Sequence, residues 1–423
     1  MSAFERLPEI DNGLLRFLTC GSVDDGKSTL IGRLLFDSKA ILADTLSAIT
    51  RTSQRRGMEA VDLSLLTDGL QAEREQGLTI DVAYRYFTSG KRKYIVADAP
   101  GHEQYTRNMV TAASTASLAI ILIDARRGVL TQTRRHSYIA HLLGIPHIVV
   151  AVNKMDLVSH SQERFEEIKS DYLGFTGQLG IANPRFIPIS ALNGDMIVER
   201  GADLGWYAGQ TLFEMLESTP SEHGESDQKL RFPVQYVCRP QSEEHHDFRG
   251  YMGRLESGEI AVGDAVMIVP AGHRTRVKDI QIMGRSQPRA IAEQSVTLLL
   301  EDDIDISRGD MIVKPEEAPL ISREIEATVC WLGDSPLDPR RKYLLRHTTR
   351  ETQARVAGIS HRLDLNTLER YAAEQLHCND IARVKFRLAQ SVCVDAYAEN
   401  RATGAFIIID EANNNTVGAG MIL

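Results

Sequence analysis

The sequence predicts an α/β domain, a mostly parallel sheet with helices on both faces, followed by two all-β barrels. Three observations carry this. Between Leu14 and about Ser218, short apolar or β-branched runs alternate with longer stretches of helical spacing, the pattern of a parallel sheet covered by helices. Beyond Lys229 helical spacing nearly vanishes, and short alternating segments are separated by Gly, Pro and Asp turns. A polar stretch, TPSEHGESDQK (Thr219 to Lys229), divides the two regions without apolar periodicity.

In the first region the expected strands are LLRFLTC, KRKYIVADAP, SLAIILIDA, HIVVAVNK and RFIPISA, whose continuous apolar character suits burial on both faces. Lys27 to Phe36, Glu103 to Thr115, Thr131 to Leu143 and Gln162 to Tyr172 read as helices. In the second region FPVQYVCR, YMGRLES, DAVMIV, TRVKDIQI and SVTLLLE read as barrel strands. A further break, KPEEAPLISRE (Lys314 to Glu324), precedes another strand-rich stretch beginning EIEATVCWL. The expected domains are therefore 1–218, a linker at 219–229, a first barrel at 230–315 and a second at 320–423.

With 423 residues, 43% hydrophobic and 25% charged, the chain has the composition of a globular protein of several domains. No apolar run approaches the ~18 residues of a membrane span, and MSAFERLPEI lacks the features of a secretory signal. A cytoplasmic protein is expected. Cys20, Cys238, Cys330, Cys378 and Cys393 are far apart, with no CxxC pair, and read as reduced structural residues. The net charge of −9 is a poor start for general binding to polyanionic nucleic acid.

The chemistry lies in loops at strand ends. Gly21, Ser22, Val23, Asp24, Asp25, Gly26, Lys27 and Ser28 fit the eight-residue phosphate-binding pattern, after an expected strand and opening an expected helix that continues with Thr29. Backbone N–H groups would wrap the phosphates, Lys27 would pair with the β- and γ-phosphates, and Ser28 would offer its hydroxyl to Mg²⁺. Base choice falls to Asn153, Lys154, Met155 and Asp156, which end the strand HIVVAV. The Asp156 carboxylate can accept from guanine N1–H and its 2-amino group, whereas adenine would leave it unpaired, so GTP is the expected nucleotide. Ser190, Ala191 and Leu192, after RFIPI, are the backbone support for the base.

Asp98, Ala99, Pro100, Gly101 and His102 follow KRKYIVA and fit a γ-phosphate sensor. Asp98 would hold Mg²⁺ through a water, and the Gly101 N–H would bond the γ-phosphate, so that hydrolysis releases the segment after it. Thr79, in EREQGLTID, is the candidate second switch residue and a third Mg²⁺ ligand. His102 would orient the attacking water, with Lys27 and Thr79 as its catalytic partners. The first domain thus reads as an α/β P-loop GTPase domain.

The DAPGH and GLTID segments, NKMD and two following barrels resemble the translational GTPases of the elongation factor Tu and 1A type. Within them, GSVDDGKSTLIGRLL, TDGLQAEREQGLTIDVAYRYF, GHEQYTRNMVTAAS, DARRGVLTQTRRHS and NRATGAFIIID are similar to the GTPase subunits of bacterial heterodimeric ATP sulfurylases. That resemblance implies a subunit that couples GTP hydrolysis to formation of adenylyl sulfate and pyrophosphate from ATP and sulfate. It also implies a catalytic partner subunit, in a heterodimer or higher assembly. Ala99 stands where many relatives have threonine, and Ser22 where elongation factors have histidine. Neither change removes a phosphate or metal ligand.

Neither an HxGH pair nor an SGGxDS loop is present, so adenylyl transfer is expected on the partner. No adenylyl sulfate kinase module is expected. The rival reading is a translation factor delivering aminoacyl-tRNA, for which Arg340, Arg341, Lys342, Arg346, His347 and Arg350 could contact phosphates. A solvated barrel strand or a protein contact explains the same residues. His245 and His246 read as a polar hairpin, and Trp206, Tyr207 and Trp331 as packing residues.

Overall fold

The structure, a computed structural model, describes residues 13–39, 41, 43–55, 61–66, 81–102, 106–181, 183–220, 228–240, 248–365 and 367–423. The chain divides into two compact units, Met1–Ser221 and Glu222–Leu423.

The first unit runs β1 (Leu14–Cys20), α1 (Lys27–Asp37), α2 (Ala43–Arg55), β2 (Ala83–Thr88), β3 (Lys93–Asp98), α3 (Thr106–Ala113), β4 (Leu118–Asp124), α4 (Thr131–Leu142), β5 (His147–Asn153), α5 (Gln162–Gly177), β6 (Arg185–Pro188) and α6 (Leu212–Ser218). Its six-stranded sheet has the order β2-β3-β1-β4-β5-β6. Every pairing is parallel except that of β2 with β3. The chain steps from β1 outward to β3, then back past β1 to β4. Right-handed crossovers taken in opposite directions put their helices on opposite faces. The reversal also opens a crevice at the carboxyl ends of these strands, where ligands of open α/β sheets bind.

The apolar run LAIILID explains its central place: Leu118 to Ile123 are fully buried in β4. The edge strand β2 instead alternates, leaving Tyr84 and Tyr86 exposed. Three elements, α2, β2 and α6, were not expected from the sequence. Helix α6 has only seven residues, but Thr211 and Glu214 form a reciprocal capping box at its start.

The second unit is built from strands, and the 3-10 turn Pro315–Glu317 is the one helical element among its described residues. Its first part holds β7 (Phe232–Pro233), β8 (Tyr236–Cys238), β9 (Gly250–Arg254), β10 (Glu259–Ala261), β11 (Ala265–Val269), β12 (His273–Ile282), β13 (Arg285–Gln287), β14 (Arg289–Ile291), β15 (Ser295–Leu300) and β16 (Met311–Val313). They form a barrel sheet of order β7-β16-β11-β12-β15-β9-β8, with β13 on β12 and a separate β10-β14 ribbon. Phe232, Tyr251, Ile268 and Leu298 lie in its core.

The second part holds β17 (Leu320–Trp331), β18 (Lys342–His347), β19 (Arg350–Leu363), β20 (Arg370–Tyr371), β21 (Ile381–Val394), β22 (Ala405–Ile409) and β23 (Thr416–Ile422). The order β18-β22-β23-β17-β21-β19 is closed by pairing of β18 with β19, which leaves no open edge among these six strands. Trp331, Tyr343, Phe386 and Phe406 fill this second core. Strand β17 begins at Leu320, not at the EIEATVCWL stretch. Its first residues pair with the end of β21 although Leu320 and Ile321 are exposed.

Arg231, fully buried ahead of β7, makes a bidentate ion pair with Asp395 after β21, at 2.7 and 2.8 Å. Asp395 also accepts from the Thr403 hydroxyl at 2.5 Å, and Arg350 donates to Asp310 at 2.8 Å. The Arg231–Asp395 and Arg350–Asp310 bonds join the two barrels within the second unit. The expected packing roles hold for Trp206, Tyr207 and Trp331: their polar atoms bond His160 O, Phe186 O and Ser335 O, and their rings pack on aromatic neighbours. His245 and His246 lie outside the described residues. All five cysteines are free thiols.

Candidate functional site

The loops singled out in the sequence lie at the carboxyl ends of β1, β3, β5 and β6. Parallel register does the first part of this work. Thr19 lies opposite Asp98, and Asp124 opposite Asn153, so each strand delivers its last polar side chain beside its neighbour's.

Residues 21–26 form a turn between β1 and α1, with Asp24 at φ 66 and Gly26 at φ 93, both left-handed. A Cβ on Gly26 would lie 2.5 Å from Asn153 Nδ2, so glycine is required for space as well as for backbone angle. The carbonyls of this turn are held one by one. Lys27 Nζ donates to Gly21 O at 3.1 Å and to Ser22 O at 2.9 Å. Arg127 donates to Val23 O at 3.3 Å, Lys154 to Asp24 O, and Asn153 Nδ2 to Asp25 O at 2.8 Å.

A trans peptide points its N–H opposite to its C=O. While the Asp25 N–H bonds Ser22 O at 3.3 Å within the turn, fixing the Val23 and Asp25 carbonyls toward β4 and β5 directs the N–H groups of Asp24 and Gly26 the other way. Those amides, with the amino end of α1, make the concave donor surface an anion needs.

Lys27 is 7% exposed, and burial lowers its pKa against the opposing pull of the Asp98 and Asp25 carboxylates. The Ser22 N–H donates to Asp25 Oδ2 at 2.6 Å. Burial raises the Asp25 pKa, partly offset by Lys27. Ser22 Oγ and Asp25 Oδ1 are buried without a hydrogen-bond partner among the described residues. Buried polar atoms left unpaired inside a turn of inward-facing amides fit a polar ligand there.

The Ser28 hydroxyl donates to Asp98 Oδ2 at 3.1 Å, and Thr19 to Asp98 Oδ1 at 3.2 Å. The carboxylate at the end of β3 is thus fixed beside the first turn of α1, a hard oxygen pair suited to magnesium. Ala99 N–H bonds Thr19 O at 3.1 Å, carrying the backbone through buried Pro100 to buried Gly101. A Cβ on Gly101 would lie 2.5 Å from Lys27 Nζ and 2.8 Å from Gly21 O, so this segment lies against the phosphate turn. His102 follows it, partly exposed. Thr79 lies outside the described residues, as do residues 103–105 of the expected helix, which is seen from Thr106.

At the other end of the site, Asn153 Oδ1 accepts from the Ala191 N–H at 2.9 Å while Nδ2 holds the phosphate turn. Met155 N–H bonds Ile189 O at 3.2 Å, and Ser190 Oγ donates to Asp156 Oδ1 at 2.7 Å. Arg33, one face of α1, donates to the carbonyls of Ala191 and Leu192, whose side chain is 62% exposed. The structure thus brings Lys27, Ser28, Asp98, Gly101, Asn153, Lys154 and Ala191 together around the phosphate turn, with Asp156 and Ser190 bonded to each other beside them.

It adds Thr19, Arg33, Asp124 and Arg127. A signal for Asp124 was available: it is a carboxylate at the carboxyl end of a strand, as Asp156 is just after one.

The basic cluster of the second barrel is largely neutralised. Arg340 pairs with Asp338, Arg341 with Asp410, Arg346 with Glu351 and Arg350 with Asp310. His347 is 2% exposed and bonds Thr403 O at 2.7 Å, so it is no part of a surface patch.

The elongation factor Tu GTP binding domain family matches residues 12–221, and the GTP-eEF1A C-terminal domain-like family matches residues 324–423. Proteins called sulfate adenylyltransferase subunit 1 are similar over nearly the whole chain. Those of Colwellia psychrerythraea and Alteromonas mediterranea are each 54% identical, over 97% of this chain and 87% of theirs. That of Cellvibrio japonicus is 53% identical, over 97% of this chain and 86% of its own.

Proposed function

The chain belongs to the sulfate adenylyltransferase subunit 1 family, and from that premise we propose that it is the regulatory GTPase subunit of an ATP sulfurylase. It binds and hydrolyses GTP, and couples that hydrolysis to formation of adenylyl sulfate and pyrophosphate from ATP and sulfate on a catalytic partner subunit. The observation that carries the reading is the joint anchoring of the phosphate turn and the base loop by Asn153, whose amide bonds Asp25 O and Ala191 N in one residue.

The phosphates lie against the amides of Asp24 and Gly26 with Lys27 over the β- and γ-phosphates, and Asp156, steadied by Ser190, accepts the guanine edge. Ser28, Asp98 through a water and Thr79 would hold magnesium, which would supply charge neutralisation on the phosphates. Gly101 reports the γ-phosphate to the segment that begins at Glu103, and His102 orients the attacking water. The protein works in the cytoplasm, in keeping with five unpaired cysteines.

The test is GTP turnover by the chain alone, with the catalytic subunit, and with ribosomes. Stimulation by the catalytic subunit in the presence of ATP and sulfate is expected. Stimulation by ribosomes instead would favour a translation factor, a reading that the ion-paired basic cluster does not support.

A further inference from the structure

Asp124 ends β4 with a side chain 1% exposed and four donors around it. Arg126 supplies Nε at 3.1 Å, Nη2 at 2.7 Å and its backbone N–H at 2.9 Å, and Lys154 supplies its ammonium at 3.0 Å. Burial alone would raise the Asp124 pKa, but the hydrogen bonds from Arg126 and Lys154 outweigh it and hold the carboxyl well below the usual range.

Lys154 has a left-handed backbone, φ 63, and its ammonium is shared between this carboxylate and Asp24 O of the phosphate turn. A lysine has a flexible four-carbon stem, and one carbonyl does not fix where its charge sits. Two acceptors do. The Ala125 N–H bonds Asn153 O at 2.8 Å, so the backbone that carries Asp124 is also tied to the backbone that carries Lys154.

We infer that Asp124 is a positioning residue for the nucleotide: it pins Lys154 against the phosphate turn, so that the base loop and the phosphate turn are set as one body. The inference rests on the GTPase reading above and adds to it a residue that acts through Lys154.

The test is a double-mutant cycle on the full chain, read as the release rate of a fluorescent GDP. Asp124→Asn keeps the shape and removes the charge, and is expected to speed release about tenfold. In a Lys154→Met background the same change is expected to add little, since the ammonium that Asp124 holds against the phosphate turn is gone. Release unchanged by Asp124→Asn overturns the proposal. So does a full tenfold effect that persists in Lys154→Met, because a general structural role would act in both backgrounds.

If Asp124→Asn does not accumulate as folded protein, Asp124→Glu is carried through the same cycle with the same criterion. Absence of GDP binding by the unmodified chain overturns the GTPase reading as well, whereas unchanged release overturns only the role of Asp124.

Discussion

The Ser28 hydroxyl and the Asp98 carboxylate meet at 3.1 Å, joining the first turn of α1 to the end of β3. Two segments 70 residues apart in sequence thereby share one oxygen cluster, with Thr19 on the other carboxylate oxygen. The backbone of Gly101, three residues beyond Asp98, then lies against Lys27 and Gly21. The phosphate turn and the sensor segment thus meet at two points.

Gly101→Ala is expected to disturb this contact. The new methyl would meet Gly21 O at 2.8 Å, a backbone atom held by Lys27, so the sensor segment must move away. GTP hydrolysis should fall by about tenfold or more, as misplacement on the ångström scale costs, with GDP affinity less affected. Stopped-flow binding of both nucleotides beside a phosphate-release assay checks it, and equal losses for GTP and GDP would speak against a γ-phosphate sensor.

Asp156→Asn should weaken GDP binding by about 2 kcal/mol for each hydrogen bond lost from the carboxylate, and should raise affinity for xanthosine diphosphate, because the amide offers a donor where guanine needs an acceptor. Titration with both nucleotides is the measurement. Unchanged GDP affinity would remove Asp156 from base reading.

For His102→Ala, nucleotide affinity should persist while single-turnover hydrolysis slows by roughly a hundredfold, the usual cost of losing one oriented group at a reacting centre. Full retained turnover would refute the water-orienting role.

The Arg231–Asp395 pair makes a prediction about the barrels. Burial alone would raise the Asp395 pKa, yet hydrogen bonds from Arg231 and Thr403 hold it below the usual carboxylate range. With the folded value depressed, the unfolded chain takes up the proton first, so the pair's stabilisation is complete above the unfolded pKa. It is lost progressively as pH falls below about 5 and through the folded value. Asp395→Asn, which leaves Arg231 buried and unpaired, should destabilise the second unit by about 3–5 kcal/mol. Denaturant unfolding of the variant, and of the unmodified chain between pH 7 and pH 3, measures both effects. A variant as stable as its parent would contradict them.

Much of the first unit was legible because its strands are buried on both faces and its loops carry chemistry at fixed offsets. LLRFLTC gave β1 residue for residue, and Lys27 opened α1 as expected. Strand β2 escaped because Tyr84 and Tyr86 face outward at the sheet edge, where packing does not constrain the pattern. Asp124 and Arg127 escaped for another reason: their role depends on partners about 30 and 100 residues away, and only the parallel register brings Asp124 beside Asn153. In the second barrel, His347 read as a surface cation beside its arginines, but strand alternation turns it inward to Thr403 O.

The central claim is that GTP hydrolysis on this chain drives sulfate activation on its partner. The direct measurement is the amount of adenylyl sulfate accumulated by the reconstituted pair from ATP and sulfate, with GTP or with a non-hydrolysable GTP analogue. Accumulation well beyond the level reached without guanine nucleotide, seen with GTP and lost with the analogue, is the expected result. Equal accumulation with and without GTP would contradict the account.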